Sequence, residues 1–284
     1  MTNSSFEPII RLSFSVGLFL VLALAECYFP RRRLTFLRKN RWPSNIAITV
    51  IDVLVMRMIL PLGAVGFARI VQSHGWGILN SIAFPAWIEV LIAVTVLDLA
   101  IYSQHLVFHH VPLLWRIHRM HHTDLDFDVT TGSRFHPAEI ALSLGIKLAV
   151  ITVLGAPAIG VLVFEILLNA TALFNHSNLK IPTSADRFIR RFLVTPDMHR
   201  VHHSILKNET NSNFGFNLPW WDHLFRTYQK TPKAGHESMT IGTDVFRNPK
   251  ELRLDRLLIQ PFIFKVQVSQ NEKDTVLRKS KKWR

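Results

Sequence analysis

The sequence contains one cysteine, Cys27, among 284 residues. A disulfide within the chain is therefore excluded, as are cysteine-ligated iron–sulfur clusters and zinc motifs of the Cys-x-x-Cys type. The Glu-x-x-His pattern with which soluble helical bundles bind two iron ions is also missing. Any metal centre of this chain must therefore be built from other ligands.

Acidic residues are scarce as well: 20 Asp and Glu stand against 33 Lys and Arg, for a formal net charge of +13. Because no recognisable nucleic-acid-binding module accompanies this charge, we do not expect a nucleic-acid partner. Apolar residues make up 49% of the chain, which favours a membrane protein. In that setting the basic excess indicates cytoplasmic loops and contact with anionic membrane lipids.

Long apolar segments cover residues 12–29, 44–71 and 75–102. Because only Arg11 precedes the first segment, whereas Arg31, Arg32 and Arg33 follow it, we expect an uncleaved anchor and not a signal peptide. The stretch 140–172 is too short for two spans of about 20 residues each. Gly155, Ala156 and Pro157 interrupt it, which predicts a helical hairpin that enters the bilayer and returns. The charged residues within these segments (Asp52, Arg57, Lys147 and Glu165) are interpreted as structural.

These segments predict an all-α integral membrane protein with about three transmembrane helices, a helical hairpin and a cap over the site. We divide the chain into an anchor and basic loop (1–43), a catalytic domain (44–230) and a polar basic tail (231–284). The stretch 180–228 is polar and is expected to form the cap, and 270–284 is expected to be a flexible tail that contacts anionic lipid.

Histidine is the abundant metal-binding residue, with 14 copies in the chain. His118, His121 and His122 have the spacing i, i+3, i+4, which places them on one face of a helix. The same spacing recurs at 199, 202 and 203, and His105 and His109 are four residues apart. Neutral imidazole binds iron, zinc and copper, so these blocks predict a metal site.

The order of these boxes among apolar segments resembles the fatty acid hydroxylase/sterol desaturase superfamily of integral membrane di-iron enzymes. Further motifs carry the resemblance over residues 30–228: LWRIHRMHH, RFHP at 134–137, FNHSN at 174–178, PDMHRVHHS at 196–204 and NFGFNLPWWDHLFRTY at 213–228. His223 and Arg226 depart from the family, which commonly has Arg and Gly there. That departure affects the substrate assignment and leaves metal binding untouched.

The resemblance implies a site of ten ligands for two iron ions, with zinc as a substitute on mismetallation and O2 as co-substrate. Eight ligands belong to the boxes and two are additional: His105, His109, His118, His121, His122, His199, His202 and His203, then His136 and His176. His121 and His202 lie centrally in their boxes, and we expect them to be essential for catalysis.

Polar residues close to the boxes are candidates to orient the ligands by accepting a ring N–H: Asp98, Asn175, Asp197, Asn213 and Asp222. Helix capping or turn formation would explain these residues equally well. His110 lies outside the box spacing and is left out of the ligand set. His74 and His236 are expected to be ordinary surface residues.

The basic stretch 30–43 should face the cytoplasm, according to the positive-inside rule. If the hairpin leaves and re-enters on one side, every histidine box then lies on that same cytoplasmic face. This agreement favours a multi-pass membrane protein with its site on the cytoplasmic side.

The resemblance implies a lipid hydroxylase or desaturase acting on a fatty acyl, sterol or related C–H bond. We expect a separate electron donor, such as a ferredoxin, a cytochrome or a small reductant. A membrane metal carrier is the main alternative, although its ligands should line a path near the bilayer midplane. A haem protein with paired histidine ligands would leave most of the histidines unexplained. Hydroxylation and desaturation remain equally open.

Overall fold

Helices form the regular structure of the computed structural model, which describes residues 7–264. They are α1 (Glu7–Tyr28), α2 (Arg38–Ile59), α3 (Gly63–Ser73), α4 (Ala86–His110), α5 (Pro112–His122), α6 (Pro137–Leu154), α7 (Ala158–Asn175), α8 (Thr183–Ile189), α9 (Pro196–His202), α10 (Lys207–Thr210), α11 (Trp220–Leu224), α12 (Gly235–Ser238) and α13 (Leu254–Ile259). Short 3₁₀ helices lie at Ile78–Ser81, Val129–Ser133, Pro249–Leu252 and Gln260–Phe262. Two isolated bridges and no strand occur within 7–264, which confirms the all-α prediction.

Five stretches of the described residues are long and apolar enough to cross a membrane: Arg11–Tyr28, Arg38–Ser81, Ala86–His110, Pro137–Leu154 and Ala158–Asn175. Many large apolar side chains on these helices point outward, among them Val21, Leu54 and Leu91, each at least 58% exposed. Water would oppose such exposure, whereas lipid tails accommodate it. The outer surface of the bundle is therefore suited to a bilayer.

The predicted hairpin is present, but its arms are longer than the apolar run suggested. Helices α6 and α7 contain 18 residues each, about 27 Å at 1.5 Å per residue, which approaches the thickness of a bilayer core. Polar residues at the ends, including Glu139 and Asn175, extend the helices beyond the predicted bounds of 140 and 172. Gly155 turns the chain with φ 69°, a left-handed conformation that glycine adopts at little cost.

The second apolar segment is divided at Pro61 into two helices. Helix α2 ends at Ile59, Pro61 lies in the break, and α3 begins at Gly63. Helix α3 ends near the tip of the hairpin, where Gln72 accepts a hydrogen bond from the amide of Ala158. The proline therefore separates two helices instead of bending one.

One end of the bundle carries the cap, and several helix ends meet there. At the start of α2, the fully buried Arg41 donates to Asp124 and Asp128, both at 2.6 Å. Near the end of α1, Glu26 accepts from the amide of Val129 at 2.8 Å. The amino end of α6 and the carboxyl ends of α4 and α7 face the same region. The loop 123–136 is thereby fixed at this end.

Residues 231–264, which the sequence assigned to a polar tail, pack against the cap. Leu252 and Leu257 are 2% and 0% exposed, and Arg119 donates to the carbonyl of Gln260 at 2.8 Å. This segment therefore covers α5 from outside. The stretch 270–284, predicted as a flexible tail, lies outside the described residues.

Candidate metal centre

Nine of the ten predicted ligands come together at the cap end of the bundle. Two of them lie on α4, three on α5, one directly after α7, two on α9 and one directly after α9. In chain order they are His105, His109, His118, His121, His122, His176, His199, His202 and His203. Pro112 and Pro196 occupy the first turns of α5 and α9, a position that proline favours. All nine side chains are at most 9% exposed.

The nine histidines form two groups. The five-histidine group contains His105, His109, His118, His122 and His202, and the four-histidine group contains His121, His176, His199 and His203. Within each group the available ring nitrogens all lie within 4.8 Å of one another. Because α5 and α9 each contribute to both groups, the two groups are adjacent, and the rings of His122 and His203 are 4.5 Å apart. Two neighbouring metal ions would fit this arrangement.

Hydrogen bonds from Nδ1 orient most of the rings. The acceptors are backbone carbonyls for His105 (Phe214, 2.8 Å), His121 (Arg134, 3.1 Å), His176 (Ala172, 2.8 Å) and His202 (Ser212, 2.8 Å), and side chains for His109 (Asn211, 3.3 Å) and His118 (Glu139, 2.7 Å). A ring that donates through Nδ1 has a free lone pair on Nε2 when it is neutral. Such a partner on the outer nitrogen is usual for histidine ligands of metals.

The Nε2 atoms of several rings also approach one another closely. The Nε2 atoms of His121 and His176 are 3.2 Å apart, and those of His176 and His199 are 3.1 Å apart. Since His121 and His176 both donate through Nδ1, the facing Nε2 atoms are both acceptors. Such a contact is repulsive unless a cation lies near both lone pairs. The donor set therefore fits metal ions bound through Nε2.

Other ring nitrogens lack any partner. They include Nε2 of His105, His109 and His202, and both nitrogens of His203. A buried polar atom without a hydrogen bond is costly and needs an explanation. Metal coordination satisfies these atoms, which supports the same conclusion by a second route.

The protonation state also suits ligands. Burial, reinforced by the neighbouring histidines, lowers the pKa of His121, His122, His199 and His203 well below its ordinary value. Burial lowers the pKa of His176 and His202 to about 3. These imidazoles are therefore neutral near pH 7, and neutral imidazole is the form that binds metals.

His136, the tenth predicted ligand, lies outside both groups. Its Nδ1 accepts from the amide of Ala138 at 3.1 Å, which caps α6, and its Nε2 contacts the carbonyl of Leu258 at 3.2 Å. Both ring nitrogens are thus used by the backbone. The structure does not bring His136 to the metal centre, because the helix-capping position directs its ring toward residues 254–259.

The polar residues proposed as orienting groups have other partners. Asp222 accepts from the amides of Phe214 and Gly215 at 2.8 and 2.9 Å. Asn213, at φ 52°, donates to the carbonyl of Met198, and Asn175 donates to that of Phe216. These residues fix the loop 211–217, whose carbonyls accept from His105 and His202. Their effect on the ligands is therefore indirect.

Asp98 and Asp197 lie further from the ligand rings. Asp98 accepts from Trp221 at 2.8 Å and so holds the start of α11. Asp197 pairs with Arg31 and with the buried Arg200. His236, expected at the surface, is 8% exposed and lies 3.6 Å from Asp197, so that expectation was wrong. His74 is exposed, as expected.

Sequence reasoning missed Glu139 and Asn211, the two side chains that accept directly from ligand rings. Glu139 lies three residues after His136 in the run RFHPAE, and this position on the first turn of α6 directs its carboxylate to His118. Its nearness to a conspicuous histidine motif was the available signal. Asn211 follows α10 and offered no signal of its own.

Aromatic rings enclose the four-histidine group. Phe135 is stacked on His121 with centroids 4.4 Å apart, and Phe127 lies 5.0 Å from His203 and 5.7 Å from His176. Phe127 is fully buried. These rings exclude water from that side of the centre, which strengthens electrostatic interactions within it.

A buried ionic network supports the loop that carries Phe127 and Phe135. Asp124 pairs with Arg41 at 2.6 Å and with Arg134 at 3.5 Å. Burial alone would raise the pKa of Asp124, but the two guanidinium groups hold it well below its usual range. Arg134 also donates to the carbonyl of Met120 at 3.1 Å. The network therefore ties the loop to α2 and α5.

A cavity of about 1020 Å³ reaches the five-histidine group from within the bundle. Its wall includes His105 and His118, together with apolar residues such as Phe108, Leu144 and Phe216. Lys147 and Glu165 line it deeper in the bundle and pair at 2.8 Å, and Arg11 pairs with Glu165 at 2.7 Å. Those charged groups are paired with one another, as the structural interpretation requires. The cavity is large enough for a lipid chain.

Comparisons with known proteins agree with this geometry. The family described as fatty acid hydroxylase matches residues 90–227, which include all nine clustered histidines. The ornithine lipid hydroxylase OlsE of Rhizobium tropici is 28% identical over 170 residues, or 60% of this chain and 49% of that protein. The chain thus spans about half the length of this curated relative. No solved structure matches.

Proposed function

We propose that the chain belongs to the fatty acid hydroxylase/sterol desaturase superfamily, on the basis of the match over residues 90–227, and that it is a membrane-bound lipid hydroxylase. The observation that carries the proposal is the pair of buried histidine groups beside an apolar cavity. A metal site alone or a cavity alone would give weaker support to a hydroxylase. The combination provides both a reactive centre and a place for a lipid chain.

We assign the nine clustered histidines as ligands of two iron ions, five to one ion and four to the other. His121 and His202 are the members that we expect to be essential in each group. Bound iron would supply the activation of O2 that oxidation of an unactivated C–H bond requires. Zinc could occupy the same nitrogens if iron is scarce during expression.

The chain itself contributes position and exclusion of water. The apolar cavity would hold the lipid chain beside His105 and His118, which belong to its wall. Phe127 shields the four-histidine group, and Phe135, which belongs to the cavity wall, lies between the cavity and His121. Holding a substrate close to a reactive centre lowers the entropic part of the barrier. The hydrogen bonds from Nδ1 hold the histidine rings in position and so keep the reactive centre itself in a fixed geometry.

Hydroxylation is preferred to desaturation because the curated relative is named as a hydroxylase. Its name also specifies an ornithine lipid, and for this chain we propose a membrane lipid as the substrate. Electrons would come from a separate ferredoxin, cytochrome or small reductant. The carrier alternative is weakened because the nine ligands are concentrated at one end of the bundle.

Lipid mass spectrometry of cells with and without the gene tests the reaction. A lipid that gains one oxygen atom only in expressing cells supports hydroxylation, and loss of two hydrogen atoms would support desaturation instead. Elemental analysis of protein purified without oxygen should find two iron ions per chain. Turnover by protein that contains almost no metal would contradict the proposal.

We further propose that the metal centre faces the cytoplasm, because the basic stretch 30–43 lies at the same end as the cap. Single cysteines introduced in Cys27→Ser protein after Arg33, in the loop 123–132 and after Lys207 should be labelled from the same side. Labelling of the last site from the opposite side would contradict this arrangement.

A further inference from the structure

Three oxygen atoms of the cavity wall have no hydrogen-bond partner: Asp52 Oδ1, Gln104 Oε1 and Glu139 Oε2. They belong to α2, α4 and α6 respectively. The Asp52 and Glu139 side chains are only 7% and 4% exposed, so solvent does not compensate for the missing bonds. A buried acceptor left unsatisfied costs about 1–3 kcal/mol, and more when it is charged. Three of them in one wall indicate a ligand.

These oxygens lie beside the five-histidine group. Glu139 contacts His118 through its other oxygen at 2.7 Å, and Gln104 directly precedes His105. Thr49 donates to the carbonyl of Ser133 at 3.2 Å, in the loop that carries Phe135. Asp52 is three residues further along the same face of α2, about 4.5 Å deeper at 1.5 Å per residue. All three acceptors are therefore near the cap end of the cavity.

The charges of this wall are not balanced in the way that the deeper charges are. Glu165 has two cationic partners, Lys147 and Arg11, within 2.8 Å. The Asp52 and Glu139 carboxyl groups instead each retain a buried oxygen without a hydrogen-bond partner. Polar groups of this kind at membrane depth are costly and usually have a functional role. A cationic donor between these groups would satisfy both oxygens.

We propose that Asp52, Glu139 and Gln104 bind the protonated amine of the lipid substrate, so that the substrate class is an amino lipid. An alkylammonium carries three N–H donors and no acceptor, which matches three acceptor oxygens. Its bonds to carboxylates are charge-assisted and therefore strong. A headgroup without N–H or O–H donors would leave the three buried oxygens unsatisfied.

The proposal rests on the proposed hydroxylase function and adds a consequence to it. With the amine bound beside His118, the carbon atoms closest to the amine lie closest to the five-histidine group. The remaining chain would occupy the apolar part of the cavity. Oxidation is then expected near the polar end of the lipid and not near the end of its tail.

The test measures binding without turnover. Metal-loaded protein in phosphatidylcholine nanodiscs is titrated with hexadecylamine or hexadecan-1-ol, without O2 or reductant, and bound ligand is counted by native mass spectrometry. The two probes have the same chain and differ in the charged group. We expect the amine to bind at least about tenfold more tightly, as befits one charge-assisted hydrogen bond.

Asp52→Asn keeps the shape of the side chain and removes its charge, and it should bring the two affinities to within about threefold. Glu89→Gln is the matched control, since Glu89 lies on α4 in the membrane region but outside the cavity wall. It should retain the preference for the amine.

Equal affinity of the original protein for both probes would overturn the proposal even if Asp52→Asn fails to fold. Retention of the full preference by a folded Asp52→Asn protein would also overturn it. Because no turnover is required, a failed hydroxylation assay leaves this result unaffected. Conversely, hydroxylation of an uncharged lipid with no amine preference would refute the amine site alone.

Discussion

The two histidine groups differ in what surrounds them. Four of the five rings in the five-histidine group donate through Nδ1, and two of those bonds go to the side chains of Glu139 and Asn211. In the four-histidine group only His121 and His176 do so, both to backbone carbonyls. The cavity wall includes His105 and His118, but the described residues show no member of the four-histidine group there.

This difference means that the two histidine groups are not equivalent as candidate metal positions. The five-histidine group faces the apolar cavity, so its environment is suited to the proposed substrate. The four-histidine position is enclosed by Phe127 and Phe135, and one ligand fewer leaves more of its coordination positions free. Substitutions in the two groups should therefore have separable effects on metal content and on turnover.

The largest effect is expected from loss of a ligand in either group. His202→Ala leaves four donors in its group, whereas His121→Ala leaves three. Both should reduce lipid oxidation by more than about a hundredfold, since loss of an outer partner of a ligand alone costs about 10–100-fold. His121→Ala should lose more metal than His202→Ala. Metal per chain and oxidised lipid, both measured by mass spectrometry, check this order.

His74→Ala provides the control for this pair. His74 is exposed and contacts the backbone of its own helix, so turnover and metal content should stay unchanged. Insertion and melting temperature must be measured alongside, because an unfolded membrane protein is also inactive. Normal turnover by both ligand variants would mean that the boxes are not the reactive centre.

A smaller effect should separate the groups through an orienting side chain. Glu139→Gln removes the charge that faces His118 while the shape is kept, and it should weaken metal binding at the five-histidine position by about tenfold. Asn211→Ala should have less effect, because its bond to His109 is uncharged and 3.3 Å long. Competition with a chelator measures both. If Glu139→Gln lost metal equally from the five-histidine and four-histidine groups, the proposed difference between the two groups would be contradicted.

The four-histidine group should respond to the ionic network behind it. Asp124→Asn removes the charge of one of the two carboxylates paired with Arg41 and is expected to destabilise the fold by about 3–5 kcal/mol, as for other broken buried pairs. Since the carbonyl of Arg134 accepts from His121, metal loss should begin at the four-histidine position. Unfolding in detergent followed by fluorescence measures the first effect.

The way in which the stability of the fold changes with pH follows from the lowered pKa of Asp124. Its stabilisation is complete above the ordinary carboxyl pKa of about 4 and is lost as the pH falls toward the lower value of the folded state. Asp255→Asn is the matched control, because its pair with Arg253 is exposed at the surface. If Asp124→Asn and Asp255→Asn unfolded at the same pH on acidification, the structural role of Asp124 would be contradicted.

The sequence contained enough information to predict nine clustered histidines because their geometry is largely local. The spacing i, i+3, i+4 determines which rings share a helix face, and both HxxHH boxes lie at the ends of real helices. The same holds for the apolar segments, whose length and composition suffice to identify membrane helices. The helix ends were predicted less accurately: the apolar segment 75–102 corresponds to α4 at Ala86–His110, and polar residues continue α6 and α7 beyond 140 and 172.

The partners of the ligands were not predictable in this way. His105 and Phe214 are 109 positions apart, and their bond depends on a loop in which Asn213 adopts a left-handed conformation. Gly215 lies so close to Asp222 that an added Cβ would be 2.8 Å from its carboxylate. Such contacts arise from packing between distant segments, and no local pattern encodes them.

The smallest effect is expected from His136→Ala, which tests the boundary of the metal centre. The loss of an N-cap for α6 should destabilise the protein by about 1 kcal/mol, while both metal positions keep their ligands. Metal content and turnover should then match the unchanged protein. His176→Ala, at the other histidine outside the boxes, should instead lose metal from the four-histidine position. If His136→Ala also lost an equivalent of metal, the centre would have ten ligands, and the ring would have to turn away from Ala138 and Leu258 when metal binds.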